Sequence, residues 1–162
     1  MKVRQRIIDV HAHVIPGVDD GSRTMEESVE MLKRAADQGI VGVIATPHYS
    51  RRHVLKGLND SAKLLQQEIR KTYPKFRIFP GQETFYHDEL AQRLNEGKAY
   101  TMADSQYVLV EFMPSVSYEI LFQGIRKLVS NGYTPILAHM ERYGCLRKKE
   151  LQSSLILDVN FR

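Results

Sequence analysis

Short apolar runs alternate with amphipathic stretches along this chain, and that alternation restricts the fold more than any other feature of the sequence. The runs are residues 6–10, Ile40 to Thr46, Phe76 to Pro80, Tyr107 to Val110 and Thr134 to Ala138. Rich in β-branched side chains and bounded by turn residues, they read as strands. Ile40 to Thr46 is apolar almost throughout, as expected of a parallel strand covered on both faces. Behind a capping box at Thr24-Met25-Glu26-Glu27, the residues Met25, Val29, Leu32 and Ala36 recur at helical spacing until Gly39. Leu58, Ala62, Leu65 and Ile69 repeat the pattern, with Pro74 expected to end it. Residues 88–96 predict a short helix closed by Gly97, and Tyr118 to Ser130 a longer one stopped by Gly132. Strands alternating with helices, without repeats or linkers, predict a parallel α/β fold. A closed βα barrel and an open sheet are the two alternatives.

The polar residues separate them. His11 and His13 follow the first strand, and side chains two apart on a strand share a face. A bare His-x-His also describes two surface histidines, but Pro16-Gly17 then turns the chain and presents Asp19 and Asp20, hard oxygen donors. His48 follows the second strand, Glu83 the third, Glu111 the fourth and His139 the fifth, with Glu141 and Arg142 just beyond. In a βα barrel those carboxyl ends converge on one mouth. Four of the six histidines at strand exits therefore favour the barrel and a metal site within it.

Composition excludes several classes. At 162 residues, 43% apolar and 26% charged, the chain fits one soluble domain spanning 1–162. No stretch has the length of a transmembrane helix, and Met1 to Arg6 lack the apolar run of a signal peptide, so no membrane insertion and a cytoplasmic location are expected. The net charge is +4, but the basic residues are scattered apart from Arg51-Arg52 and Arg147-Lys148-Lys149. Phosphorylated partners fit that distribution, and no nucleic-acid partner is expected. Cys145 is the sole cysteine, which rules out an internal disulfide and reads as small filler.

Several segments together resemble one superfamily. They are Asp9-Val10-His11-Ala12-His13 with Pro16 to Gly21, Ala45-Thr46-Pro47-His48, Pro80-Gly81-Gln82-Glu83, Val110-Glu111-Phe112, and Ala138-His139-Met140-Glu141-Arg142-Tyr143. In this order and spacing, over residues 7 to about 150, they resemble the PHP (polymerase and histidinol phosphatase) superfamily. Within it they are similar to the manganese-dependent protein-tyrosine phosphatases of capsular and exopolysaccharide clusters in Gram-positive bacteria. The resemblance implies a distorted TIM-like barrel of about seven strands, of which this chain supplies five or six βα units. It also implies divalent metals at the mouth, up to three, with manganese the expected one. His11, His13 and Glu83 would hold one ion, Glu83, Glu111 and His139 a second, and Asp20 and His48 a third. Arg142 would clamp phosphate oxygens with its planar fork. Arg51 and Arg52 have two readings, a solvated loop or a hold on an acidic phosphopeptide. The implied substrate is phosphotyrosine on a bacterial polysaccharide-synthesis kinase. A remnant that binds metal or kinase without turnover, and another PHP phosphoesterase of the histidinol-phosphate kind, are the rival readings.

The resemblance also implies further βα units and a late Asp-x-His segment that do not occur after Arg142. Ser153 to Arg162 is expected to depart from the family pattern in a C-terminally truncated domain, with Leu155 to Val159 a candidate sixth strand. An open strand edge in such a sheet predicts a homo-oligomer or aggregation.

Overall fold

The computed structural model describes residues 6–49 and 57–147. Strand β1 (Ile7–Ala12) is followed by helix α1 (Met25–Asp37) and strands β2 (Ile40–Ala45) and β3 (His48–Tyr49). Helix α2 (Leu58–Arg70), strands β4 (Arg77–Pro80) and β5 (Glu83–Phe85) and helix α3 (Leu90–Asn95) come next. Strand β6 (Tyr107–Glu111), helix α4 (Tyr118–Ser130) and strand β7 (Thr134–Leu137) complete the described elements, with a 3-10 turn at Met140–Arg142.

All pairings are parallel, in the orders β1-β2-β4 and β3-β5-β6-β7. The two sheets are one arc interrupted. β2 and β3 are a single strand broken at Thr46-Pro47, and β4 and β5 a single strand broken at Gly81-Gln82. Backbone bonds cross the breaks, from Thr46 N–H to Ala12 O at 2.9 Å and from Glu83 N–H to Pro47 O at 3.1 Å. Gly81 is required at its break, because a Cβ there would lie 2.8 Å from Ile44 Cγ2. Five parallel strands in sequential order thus form the arc, as the alternation in the sequence predicts.

Side-chain alternation sorts the arc into two faces. Val43 and Ala45 pack outward with Leu32, Leu58, Ala62, Leu65 and Ile69 of α1 and α2. Val108 and Val110 pack outward with Leu121, Ile125 and Leu128 of α4. On the other face Leu109, Ala138 and Met102 are buried against Ile44 and Ile136. Ile44 of β2 reaches that cluster although the β4/β5 strand lies between it and β6, as on the concave side of a curved sheet. The inner-face residues of the strand ends are therefore set around one hollow.

The helices follow their caps. Thr24 accepts from Glu27 N–H at 3.2 Å, while the Glu27 carboxylate takes the Arg23 N–H at 2.7 Å, one residue before the position a standard capping box would use. Helix α2 stops at Arg70 rather than running to Pro74. Pro74 requires an extended residue before it, and the N–H groups of Thr72 and Tyr73 instead turn back to Ile69 O. The predicted helix over 88–96 is shorter by three residues, spanning Leu90–Asn95. Among the described residues no helix is long and apolar enough to cross a membrane. Arg51, Arg52 and the candidate strand Leu155 to Val159 lie outside the described residues.

Candidate metal centre

The concave face ends in a carboxylate that the protein leaves unsatisfied. Glu83 is 0% exposed, and neither of its oxygens has a hydrogen-bond partner of acceptable geometry. Four imidazoles surround it instead. Oε2 lies 3.1 Å from His11 Nε2, 3.0 Å from His13 Nε2 and 3.2 Å from His48 Nδ1, while Oε1 lies 3.0 Å from His139 Nε2. His11 Nε2 and His13 Nε2 are themselves 3.2 Å apart. Nitrogen and carboxylate lone pairs facing one another repel unless a cation or protons lie between them.

Each strand contributes in the same way. His11 and His13 leave the end of β1 on its inner face, and the His48–Glu83 and Glu83–Leu109 register pairs carry the alignment across the arc to Glu111. His139 leaves β7 in the left-handed region, at φ +52°, and its ring lies 5.1 Å from that of His11, centroid to centroid. Backbone strain of this kind concentrates where a side chain must be aimed. Gly21 closes the loop after β1, where a Cβ would lie 2.2 Å from His13 O.

Asp19 organises the loop. Its Oδ2 lies 2.7 Å from His13 Nδ1 and accepts the His48 N–H at 2.9 Å, while Oδ1 accepts the Gly21 N–H at 3.0 Å. With the Nδ1 proton held by Asp19, His13 presents Nε2 to the Glu83 side. The hydrogen bond to Asp19, reinforced by Glu83, pushes the His13 ring up to about 10. Burial pushes the Glu83 carboxyl up, but its contacts with His11 and His13 and the charges of His11 and His48 outweigh this and hold it well below the usual range. Asp19 is likewise lowered, with its hydrogen bonds from His13, His48 and Gly21 overcoming burial. Asp9 accepts the His11 backbone N–H at 3.0 Å and so shapes the strand end rather than orienting a ring.

Three sets of donor atoms lie mutually within 4.8 Å: His11, Glu83 and His139; His13, Asp20 and His48; and His48, Glu83 and Glu111. Ligand bonds of about 2.0–2.2 Å give coordination polyhedra with edges of about 3.0–3.5 Å, a range that the Glu83–imidazole distances of 3.0–3.2 Å match. The donor chemistry and the unsatisfied carboxylate both fit divalent metal. His11, His13 and Glu83, grouped together in the sequence expectation, also lie 3.0–3.2 Å from one another. All seven expected donors are thus brought together.

Other candidates stand apart. Asp20 is 80% exposed and reaches His48 Nε2 only at 3.5 Å. Arg142 sits in the turn after His139, where its N–H closes onto His139 O at 2.9 Å, but its guanidinium is more than half exposed and lies 3.8 Å from Glu141. Cys145 is half-buried, and burial pushes its thiol up, against nucleophilic use. An open cleft of about 420 Å³ adjoins the cluster, lined by Val18, Asp19, Asp20, His48, Tyr49, Phe85 and Glu111. Sequence reasoning took Asp19 for a ligand and missed Val18, Tyr49 and Phe85. The period of two from Glu83 to Phe85 was the available signal.

Comparison with known proteins agrees with this geometry. Tyrosine-protein phosphatase CpsB of Streptococcus agalactiae is 26% identical over 157 residues, covering 94% of this chain and 64% of that protein. YwqE of Bacillus subtilis, also a tyrosine-protein phosphatase, is 31% identical over 143 residues, covering 84% of this chain and 55% of YwqE. A chain from the crystal structures of YwqE from B. subtilis and CpsB from Streptococcus pneumoniae, described as unique metal-dependent tyrosine phosphatases, superposes with a TM-score of 0.82. It is 32% identical, and the match covers 93% of this chain and 62% of that one. This chain thus spans at most about 64% of the length of these relatives. The family model for capsular polysaccharide synthesis proteins CpsB/CapC matches residues 7–159, which corrects the expectation that the residues from Ser153 onward depart from the family pattern. With a match over nearly its whole length, and a parallel α/β fold shared with solved relatives, the chain belongs to the CpsB/CapC family.

Proposed function

We propose that this chain is a metal-dependent protein-tyrosine phosphatase of the cytoplasm, acting on phosphotyrosine of a polysaccharide-synthesis tyrosine kinase. The observation that carries the reading is the Glu83 carboxylate, fully buried without a hydrogen bond and ringed by imidazole nitrogens at 3.0–3.2 Å. His11, His13, Asp20, His48, Glu83, Glu111 and His139 would hold the metal; the mixed imidazole and carboxylate set suits manganese, iron or zinc, and manganese is the ion the family resemblance implies. When bound, divalent ions supply a nucleophile at neutral pH and neutralise charge developing on phosphoryl oxygens. The protein's own part is to orient. Asp19 keeps a proton on His13 Nδ1, Glu83 anchors the ring of histidines, and the Arg142 fork is within one turn of His139 to hold phosphate oxygens. Arg51 and Arg52 would help hold an acidic phosphopeptide.

The test is manganese-dependent hydrolysis of a phosphotyrosine peptide, with His139→Ala as control. Turnover that needs metal and vanishes in the variant supports the reading, and no turnover from the folded chain across several divalent metals overturns it. A second reading, metal binding without turnover, is favoured by Asp20, which is 80% exposed and 3.5 Å from His48 Nε2, so that one donor of the outermost set stands mostly in solvent. Strand β1, at the edge of the sheet among the described residues, also exposes Ile7, Ile8 and Val10 at 51%, 47% and 44%, which supports self-association through that edge.

A further inference from the structure

The cleft beside the cluster carries an apolar side that the metal chemistry does not explain. Phe85 is 39% exposed and belongs to none of the described apolar clusters, although it sits between the buried Thr84 and the Tyr86–Phe112 stack. It shares the cleft with Val18 and Tyr49. The Tyr49 ring is fixed, because its hydroxyl accepts from Arg93 Nε at 2.6 Å and the guanidinium stands 5.9 Å over the ring. Phe85 lies two residues beyond Glu83 on β5, so both side chains leave on the inner face, roughly 6.6 Å apart along the strand. Its register partner is Glu111, one of the cluster's carboxylates.

We propose that Phe85, backed by Val18 and Tyr49, is the platform on which the aromatic ring of an aryl phosphate lies, and that it makes the site selective for aryl over alkyl phosphoesters. The proposal rests on the phosphatase reading of the cluster. A phosphate seated at Glu83 and its histidines directs the ester group outward along β5. The tyrosine ring then spans nearly the distance from Glu83 to Phe85, whereas the methylene of phosphoserine stops short of it. Aromatic rings attract in offset or edge-to-face arrangements, and such a contact covers the exposed Phe85 ring. Phe85 acts by positioning substrate and moves no proton.

Two measurements test this, one of them independent of turnover. The sequence contains no tryptophan, so Phe85→Trp places the sole indole of the chain at the cleft. With manganese bound, its fluorescence is titrated with phenylphosphonate and with methylphosphonate. The expected result is a shift and quench with the phenyl compound and little response to saturating methyl compound. Equal responses to both would overturn the platform. In kinetics, Phe85→Leu is expected to raise KM for a phosphotyrosine peptide roughly three- to tenfold with kcat little changed, and to leave an alkyl phosphate unaffected. Unchanged phosphotyrosine KM, or an equal loss on both substrates, would contradict it. If the wild-type chain turns over nothing, the phosphatase reading fails, and the indole response alone decides whether Phe85 receives an aryl ring.

Discussion

Two clefts of the same size, about 420 Å³ each, lie on this molecule and differ in what their walls can do. One adjoins the carboxyl ends of the strands and contains Asp19, Asp20, His48 and Glu111 beside the buried Glu83. The other lies where Arg6, Ile8 and Val41 meet Lys75, Arg77 and Phe79, at the amino ends of β1, β2 and β4. Its Arg6, Lys75 and Arg77 are exposed, so their charges are solvated. The first holds a buried carboxylate without a hydrogen bond of acceptable geometry, ringed by four imidazole nitrogens at 3.0–3.2 Å. Volume does not distinguish the two. An unsatisfied buried charge does, since the folded chain keeps such a group only where something completes it.

The contrast can be tested by altering each end. The largest effect belongs to Glu83→Gln, which is expected to remove metal binding and bring turnover to the background of the metal-free protein, as read by metal content and phosphotyrosine hydrolysis. Gly21→Ala is expected next, because the new Cβ meets the His13 backbone and forces the loop away. A lowered melting temperature and a loss of metal affinity, both measured on the same protein, check this. Asp19→Asn keeps the shape but loses the charge that holds His13, and should lower metal affinity roughly 10- to 100-fold by calorimetry.

The pH dependence follows from His13. Its folded value, about 10, lies above the ordinary 6.5, so the protonated ring stabilises the metal-free fold. That contribution is complete below about 6.5 and is lost as the pH rises through about 10. Metal-free protein should therefore lose stability across that window, and the metal-loaded protein should not. Metal binding at neutral pH should release a proton, seen as a dependence of the calorimetric heat on the buffer. At the opposite end, Arg77→Ala should change stability by no more than about 0.5 kcal/mol and leave metal affinity unchanged.

Much of this was legible in the sequence. Helix α4 runs from Tyr118 to Ser130 as its apolar spacing and Gly132 predict, and the polar residues at strand exits do meet. The short strands His48–Tyr49 and Glu83–Phe85 were not legible, because two or three residues show no period and Pro47 and Gly81 read as strand ends. The aim of the His139 ring was also hidden. It depends on the left-handed turn at His139, which brings that ring over His11, and no local pattern announces a positive φ at a histidine. Asp19 looked like a ligand because both aspartates of the loop carry the same chemistry. Only its contact with Nδ1 of His13 assigns it the orienting part.

The most direct measurement is manganese binding followed by electron paramagnetic resonance, comparing the wild-type chain with Glu83→Gln. The account predicts that the wild type removes free manganese from solution with at least one tight site per chain, and that the variant leaves it free. Equal binding by both proteins, or no tight binding by a folded wild type, would contradict the claim that the buried carboxylate is the centre of a metal site.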